Sequence, residues 1–393
     1  MYIKINNEGA KKALVSISIV VIIIASTSAV VVSLVPSSII KSNIILPLAF
    51  AYEEVEEEDE DKSTTSTAIL SNIVSKKSTD YEYVLSSIEG DRENNNPLGF
   101  KSIKKFDSNG KFITSWGSEG YGDGQFLHAH GIAIDSSDNV YVSDDDKSSI
   151  QKFDSNGKFI TSWGSEGTGD GQFLRPEAVA VDSSSGNVYV ADFEGNNIQK
   201  FDSNGNFITK WGSKGDGDGQ FQRPWGVAVD SSGNVYTAET DGERIQKFDS
   251  NGNFITKWGS KGTGDGQYLH LHDVNVDASG NLYVTDQNNF KVEKLTSDGN
   301  FIAKWGSEGC NDAQFREHHG IDFDSVGNVY VVDTQNERIQ KFDSNGNFIA
   351  KWGSEGYGDG QFWLPHEIAI DSSDNVYVTD SGNVHEKKDN CTI

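Results

Sequence analysis

The Trp-Gly pairs that begin at Trp116, Trp163, Trp211, Trp258, Trp305 and Trp352 are spaced 47, 48, 47, 47 and 47 residues apart. A fixed period of that length assigns the chain to a repeat architecture in which each period is one supersecondary unit. Within a period four strand-like runs follow in order, as in "GVAVD" (226–230), "NVYTAE" (234–239), "RIQKFD" (244–249) and "FITKWG" (254–259). Alternation and β-branched or aromatic residues mark each run as a strand. Between them, "DSSGN" (230–234) and "DSNGN" (249–253) supply the Asp, Ser, Asn and Gly that tight hairpins need for side-chain capping and positive φ. The polar "GSxGxGDGQ" stretches read as loops between units. Forty-one glycines against 6 prolines, with 21 Phe, 13 Tyr and 8 Trp, suit many short strands rather than helices.

Counting strands closes the fold. The "GIAID"-type first strand ends at Asp135, Asp182, Asp230, Asp277, Asp324 and Asp371, six times in all, but the last copy runs into "GNVHEKKDN" with no "FITKWG" after it. At the other end, "SIKKFDSNGKFITSWG" (102–117) is a third and fourth strand with no first and second before it. The expectation is an all-β, six-bladed β-propeller of four-stranded antiparallel blades, closed by N-terminal strands joining the last blade. Such closure removes free strand edges. The propeller is assigned to 100–393 and is expected to be monomeric.

The first 51 residues differ in kind. Lys4, Lys11 and Lys12 precede 23 uncharged residues, 13–35. As a helix this run would reach roughly 34 Å, enough for a membrane core of about 30 Å. A second apolar piece, "IILPLAFA" (44–51), ends in the small-residue pattern Ala49-Phe50-Ala51 that a signal peptidase recognises. Residues 1–51 are therefore read as a transmembrane anchor or a signal segment cleaved after Ala51. Basic residues before the apolar run and "EEVEEEDED" (53–61) after it place the remainder outside the cytoplasm. Residues 52–99, acidic and then rich in Ser, Thr and Asn, read as a flexible stalk.

Thirty-three Lys and Arg against 59 Asp and Glu give a formal charge of −26. Such a surface repels phosphate backbones, so nucleic acid is not an expected partner. The two cysteines, Cys310 and Cys391, form no ligand spacing and leave one disulfide open.

The stretch "RPWGVAVDSSGNVYTAETDGERIQKFDSNGNFITKWG" (223–259) resembles the NHL repeat, and the other copies match it. The resemblance implies a propeller whose innermost strand is the first of each blade. NHL propellers include protein-binding platforms, RNA-binding surfaces and, in the related peptidyl-hydroxyglycine amidating lyases, zinc enzymes. Fold alone does not choose among these.

Five residues before each first-strand Asp the copies hold His130, Glu177, Trp225, His272, His319 and His366. His128, His270 and His318 lie one or two positions earlier in their copies. If blades follow chain order, His272, His319, His366 and His130 stand on four consecutive blades facing one mouth of the channel. Imidazoles there are candidate ligands for a zinc-like ion. The lyase resemblance implies zinc at His366, within "LPHEIAI" (364–370), and at His272, His319 and His130 by register. Trp225 and Glu177 complete the ring as candidate ligand-binding residues, one an aromatic face and the other a carboxylate able to orient water. That lyase family places a Tyr base and an Arg directly after the second-strand acid, whereas here those places hold Asp145, Phe193, Thr240, Gln287, Thr334 and Ser381. The histidines are equally compatible with inherited packing around a channel.

Two further patterns have plain structural readings. The acids closing the second strands, Asp144, Asp192, Glu239, Asp286, Asp333 and Asp380, occur in every blade, as acceptors for backbone N–H groups would. The Asp-Gly loops offer oxygen ligands for calcium but lack EF-hand spacing and read first as solvated turns. The expected function is an extracytoplasmic, membrane-tethered binding platform for a protein, peptide or glycan. The alternative is a zinc-dependent lyase or hydrolase using the histidine ring.

Overall fold

A computed structural model describes residues 19–26, 29–36 and 101–382 of the chain. The anchor-or-signal assignment of 1–51 falls partly, and the stalk at 52–99 wholly, outside the described residues. In this region Ile19–Ser26 pairs antiparallel with Ala29–Pro36, and the other residues of the anchor-or-signal segment lie outside the described ones. Both segments are dominated by Val and Ile, whose branched side chains favour extended backbone. No helix among the described residues is long and apolar enough to cross a membrane.

From Ser102 to Asp380 the chain forms six four-stranded antiparallel sheets. The first strands are Ala129–Ile134, Pro176–Val181, Pro224–Val229, Leu271–Val276, His318–Phe323 and Pro365–Ile370, heading blades 1 to 6. Blades 1 to 5 are meanders of consecutive strands. In blade 6, Pro365–Ile370 and Val376–Asp380 are followed in the sheet by Ser102–Phe106 and Phe112–Trp116. Register there runs from Val376 opposite Phe106 to Asp380 opposite Ser102.

Burial follows position in the blade. Second strands such as Val140–Asp144 are buried at every residue, whereas fourth strands such as Phe159–Trp163 alternate toward solvent. Residues from all six first strands line one central cavity, so these strands are innermost. Between blades the core is aromatic. Trp211 of blade 2 lies 6.2 Å from its own blade's Tyr189 and 5.9 Å from Phe248 of blade 3. The same indole covers Gly252, in the turn between the third and fourth strands of blade 3, and the contact repeats around the ring.

That contact needs glycine twice over. Gly252 has φ +84°, and an added Cβ would stand 2.5 Å from Trp211 Cδ2. Gly280 has nearly the same φ, +81°, but open space around it. Gly280→Ala is therefore expected to cost about 1 kcal/mol for the left-handed backbone. Gly252→Ala is expected to cost a further 1–3 kcal/mol, roughly, because the indole must move. Urea unfolding of the two variants checks this, and equal losses would show that the inter-blade contact yields freely.

Candidate functional site

The entry end of each first strand is fixed by its own second strand. The Asp144 carboxylate accepts backbone N–H groups of Leu127 (2.9 Å), His128 (3.0 Å) and Lys147 (3.1 Å). Asp286 does the same for Leu269 and His270, and Asp380 for Trp363 and Leu364. The repeated acids are thus clamps on the segment that delivers the site residues. Hydroxyls tie neighbouring blades together at the same level: Ser143 Oγ donates to the Glu177 carbonyl and Thr379 Oγ1 to the His130 carbonyl, each at 2.7 Å.

These clamps bring His272, His319, His366 and His130 around the axis. His272 stacks on His319 with ring centroids 3.8 Å apart and planes 12° from parallel. His319 and His366 are 5.1 Å apart by centroid and 3.0 Å between Nδ1 atoms, so one of the two rings supplies the hydrogen they share. His366 lies 4.4 Å from His130, and His130 faces His272 across the axis at 6.1 Å. Trp225 packs on His272 at 4.2 Å and meets Phe193 edge-on at 4.9 Å. Glu177 is fully buried, with Arg175 Nε at 2.6 Å and His130 Nδ1 at 3.2 Å. It is an ion-pair partner under the mouth rather than a carboxylate open to the channel. His128 extends the cluster outward, reaching Asp145 Oδ1 (2.7 Å) with Nδ1 and His366 Nε2 (3.3 Å) with Nε2. His318, beside His319 in sequence, points the other way; its Nε2 meets the Lys291 carbonyl at 2.9 Å and its ring stacks on Phe315.

Electrostatics follow from burial. Removal from water holds His130, His272 and His319 well below the usual histidine range, and neighbouring imidazoles push the same way. These three imidazoles are therefore neutral at neutral pH and offer lone pairs rather than charge. Both nitrogens of fully buried His272 lack a hydrogen-bond partner. A more compact ligand group lies beside the ring: ligand atoms of His128, Asp145 and Asp146 all fall within 4.8 Å of one another.

Below the ring the channel holds residues that the repeat pattern had hidden. At the position directly after the ring residue, blades 1, 2, 3 and 5 carry Gly131, Ala178, Gly226 and Gly320, but blades 4 and 6 carry Asp273 and Glu367. Two residues further, Ala133, Ala180, Ala228 and Ala369 are answered by Asn275 in blade 4 and Asp322 in blade 5. Asp273 accepts N–H groups from Val274 (2.8 Å) and Ile321 (3.1 Å) and shares a side-chain hydrogen bond with Glu367. Asp322 accepts from the Ile370 N–H at 2.7 Å and from Asn275 Nδ2 at 3.0 Å. Burial pushes the Asp273 and Asp322 carboxyls up to about 7 and Glu367 well above the ordinary range. The signal was a polar residue at a place where the other copies hold only Gly or Ala.

These acids form one wall of an axial cavity of about 220 Å³. The opposite wall, from blades 1 to 3, is aliphatic and includes Ile132, Ala178 and Val227. At the ring end His130 and His272 are buried, whereas Ile134, Val181, Val229 and Ile370 at the far ends of the strands are only half-buried. The histidine ring is thus a plug, and the cavity opens toward the face carrying the strand 1–2 turns.

Comparison with known proteins agrees with this architecture. Residues 221–248 match the NHL repeat, and residues 136–203 and 310–385 match a family described as a 6-bladed beta-propeller. A search of curated proteins finds no match. Among solved structures, a protein of unknown function from Bacteroides thetaiotaomicron VPI-5482 superposes with a TM-score of 0.52 at 18% identity, over 71% of this chain and 76% of that one. A catalytically inactive virginiamycin B lyase from Staphylococcus aureus with quinupristin gives 0.48 at 15% identity, over 71% and 82%. These likenesses concern the fold alone. With its 47-residue period, four-stranded blades and matched repeat, the chain is an NHL-repeat six-bladed β-propeller.

Proposed function

We propose that the chain is an extracytoplasmic, membrane-tethered binding platform that presents the entry face of its propeller to a protein, peptide or glycan. The observation that carries this reading is where the blades differ. Outer strands repeat as Phe-Ile-Thr/Ala-Ser/Lys-Trp in every blade, whereas the entry positions hold His, Glu, Trp, His, His and His. Around that mouth, Arg175 and Arg223 both lie over Phe193, at 5.4 and 5.2 Å from its centroid, beside half-buried Trp225. Aromatic faces flanked by guanidinium groups are the usual anchors of a binding surface. The basic residues before 13–35 and the acidic run after it support export. Cys391 lies outside the described residues.

Glycan and peptide arrays probed with the full-length chain test the reading. Binding is expected to fall at least tenfold in Trp225→Ala and to survive Ile160→Ser on an exposed outer strand. Equal binding by both variants would place the ligand elsewhere.

A second reading, a zinc-dependent lyase or hydrolase, is supported by the 3.0 Å approach of His319 and His366 and by the unpartnered nitrogens of His272. On that reading His319, His366 and one of His272 or His130 would hold the ion, which would supply a polarised carbonyl or an activated water, but the ligand atoms that converge among the described residues are those of His128, Asp145 and Asp146. The absence of a Tyr-Arg pair after the second-strand acids favours the platform. Elemental analysis of the purified chain separates the two. On the metal reading about one zinc is retained per chain, and it is lost in His319→Ala/His366→Ala but kept in Asp146→Ala. Metal-free protein would leave the ring as packing.

A further inference from the structure

Asp273, Asp322 and Glu367 share one channel, and among the described residues no Lys or Arg is paired with any of them; the ion-pair contact they have is His272 Nδ1 to Glu367 Oε1, at 3.8 Å. Elsewhere several buried acids are paired with cations, as Glu177 with Arg175 and Asp333 with Arg338. Burying several carboxyls without a counter-charge is costly. Four of the six blades show that Gly or Ala fits at each of these positions. The acids are therefore not demanded by the fold. His272 adds an independent sign, because a fully buried imidazole with neither nitrogen bonded stands against the same carboxyl group. Such a group ordinarily has a partner.

We propose that the axial cavity, entered from the face of the strand 1–2 turns, binds a guanidinium group carrying a short aliphatic stem. Asp273, Asp322 and Glu367 accept its N–H groups, and the small aliphatic side chains of blades 1 to 3 receive the stem. The shape of the acid wall selects this chemistry. A bare metal ion needs ligand atoms that converge, and among the described residues the His/Asp/Glu group that does so is His128, Asp145 and Asp146, outside the channel. An ammonium likewise gathers its acceptors around one nitrogen. A guanidinium presents five N–H donors spread in a plane, which suits carboxylates spaced over three blades that already accept backbone N–H groups from one side. The same chemistry arrives either as a small free guanidinium compound or as the arginine side chain of a peptide.

Calorimetric titration of the full-length chain with n-butylguanidinium, n-butylammonium and neutral n-butylurea tests the assignment. Butylguanidinium is expected to bind at least fivefold more tightly than butylammonium, and butylurea not to bind. Asp273→Ala/Glu367→Ala should weaken butylguanidinium binding at least tenfold, with Asp322→Asn as a single-site variant that removes one charge and little volume. A Gly-Arg-Gly peptide separates the sources: competition with butylguanidinium means that an arginine side chain enters, and its absence means that the pocket takes the free compound. His319→Ala/His366→Ala and Trp225→Ala should leave this binding intact, which keeps it distinct from the entry-face reading. Butylguanidinium binding no tighter than butylurea, or binding unchanged in both acid variants, overturns the proposal.

Discussion

A chain that begins at Glu119 is expected to lose cooperative thermal unfolding. Its missing segment includes Ser102–Phe106, the strand paired with Val376–Asp380, and Phe112–Trp116 outside it. Ile103 and Phe106 are both fully buried. Those two side chains alone contribute about 3–6 kcal/mol of burial. Total stability of a domain is about 5–15 kcal/mol. The deletion also strips Lys104 Nζ from Asp380 Oδ2, 2.7 Å away, leaving a buried acid unpaired, and it exposes the Val376–Asp380 edge to other chains. Circular dichroism melts and light scattering should show early, aggregating unfolding. Ile113→Ser, on the exposed side of the same segment, should stay within about 0.5 kcal/mol of the parent. A parent-like melt from the shortened chain would mean that the ring does not depend on this seam.

The fold was legible because one unit is written six times. Alternation, turn residues and the Trp-Gly period specify four strands per blade and six blades, and each copy corrects ambiguities in the others. The entry positions were legible for the same reason, since departures stand out against a repeat. What escaped notice was subtler. Asp273, Asn275, Asp322 and Glu367 sit inside strands that still read as alternating apolar runs, and only a column-by-column comparison shows that their counterparts are Gly or Ala. The burial of Glu177 could have been anticipated from Arg175, two residues earlier and so on the same side of an extended strand. Adjacent His318 and His319 had to diverge for the same reason: neighbours in a strand face opposite ways. The apolar run at 13–35 was harder. Length and lack of charge describe a membrane helix and a Val/Ile-rich hairpin equally well, and the described residues there pair as strands.

Two buried aspartates should respond to the same substitution in opposite ways. Asp333 accepts Arg338 Nε at 2.7 Å, Gln340 Nε2 at 2.9 Å and the Arg316 N–H at 2.8 Å. Asp333→Ala leaves the buried Arg338 guanidinium without its carboxylate and is expected to cost about 3–5 kcal/mol. Among the described residues no Lys or Arg pairs with Asp322, and Ala is what blades 1, 2, 3 and 6 carry at its position. Its carboxyl, pushed up to about 7 by burial against an ordinary 3.8, keeps its proton in the folded chain over a range where the unfolded chain has lost it. The folded state thus binds more protons between about pH 4 and 7, and the stability associated with Asp322 is fully present below the unfolded value and lost as pH rises through the folded one. Asp322→Ala removes that dependence. Relative to the parent it should therefore be more favourable at pH 8 than at pH 5, and at pH 8 neutral or stabilising, since the parent must then hold an unpaired charge in the channel. Urea unfolding of parent and variant at the two pH values reads this difference directly, because every other titrating group is common to both. A parent-minus-variant difference that is constant with pH, or that grows in the parent's favour at pH 8, would show that Asp322 has a counter-charge in the channel after all.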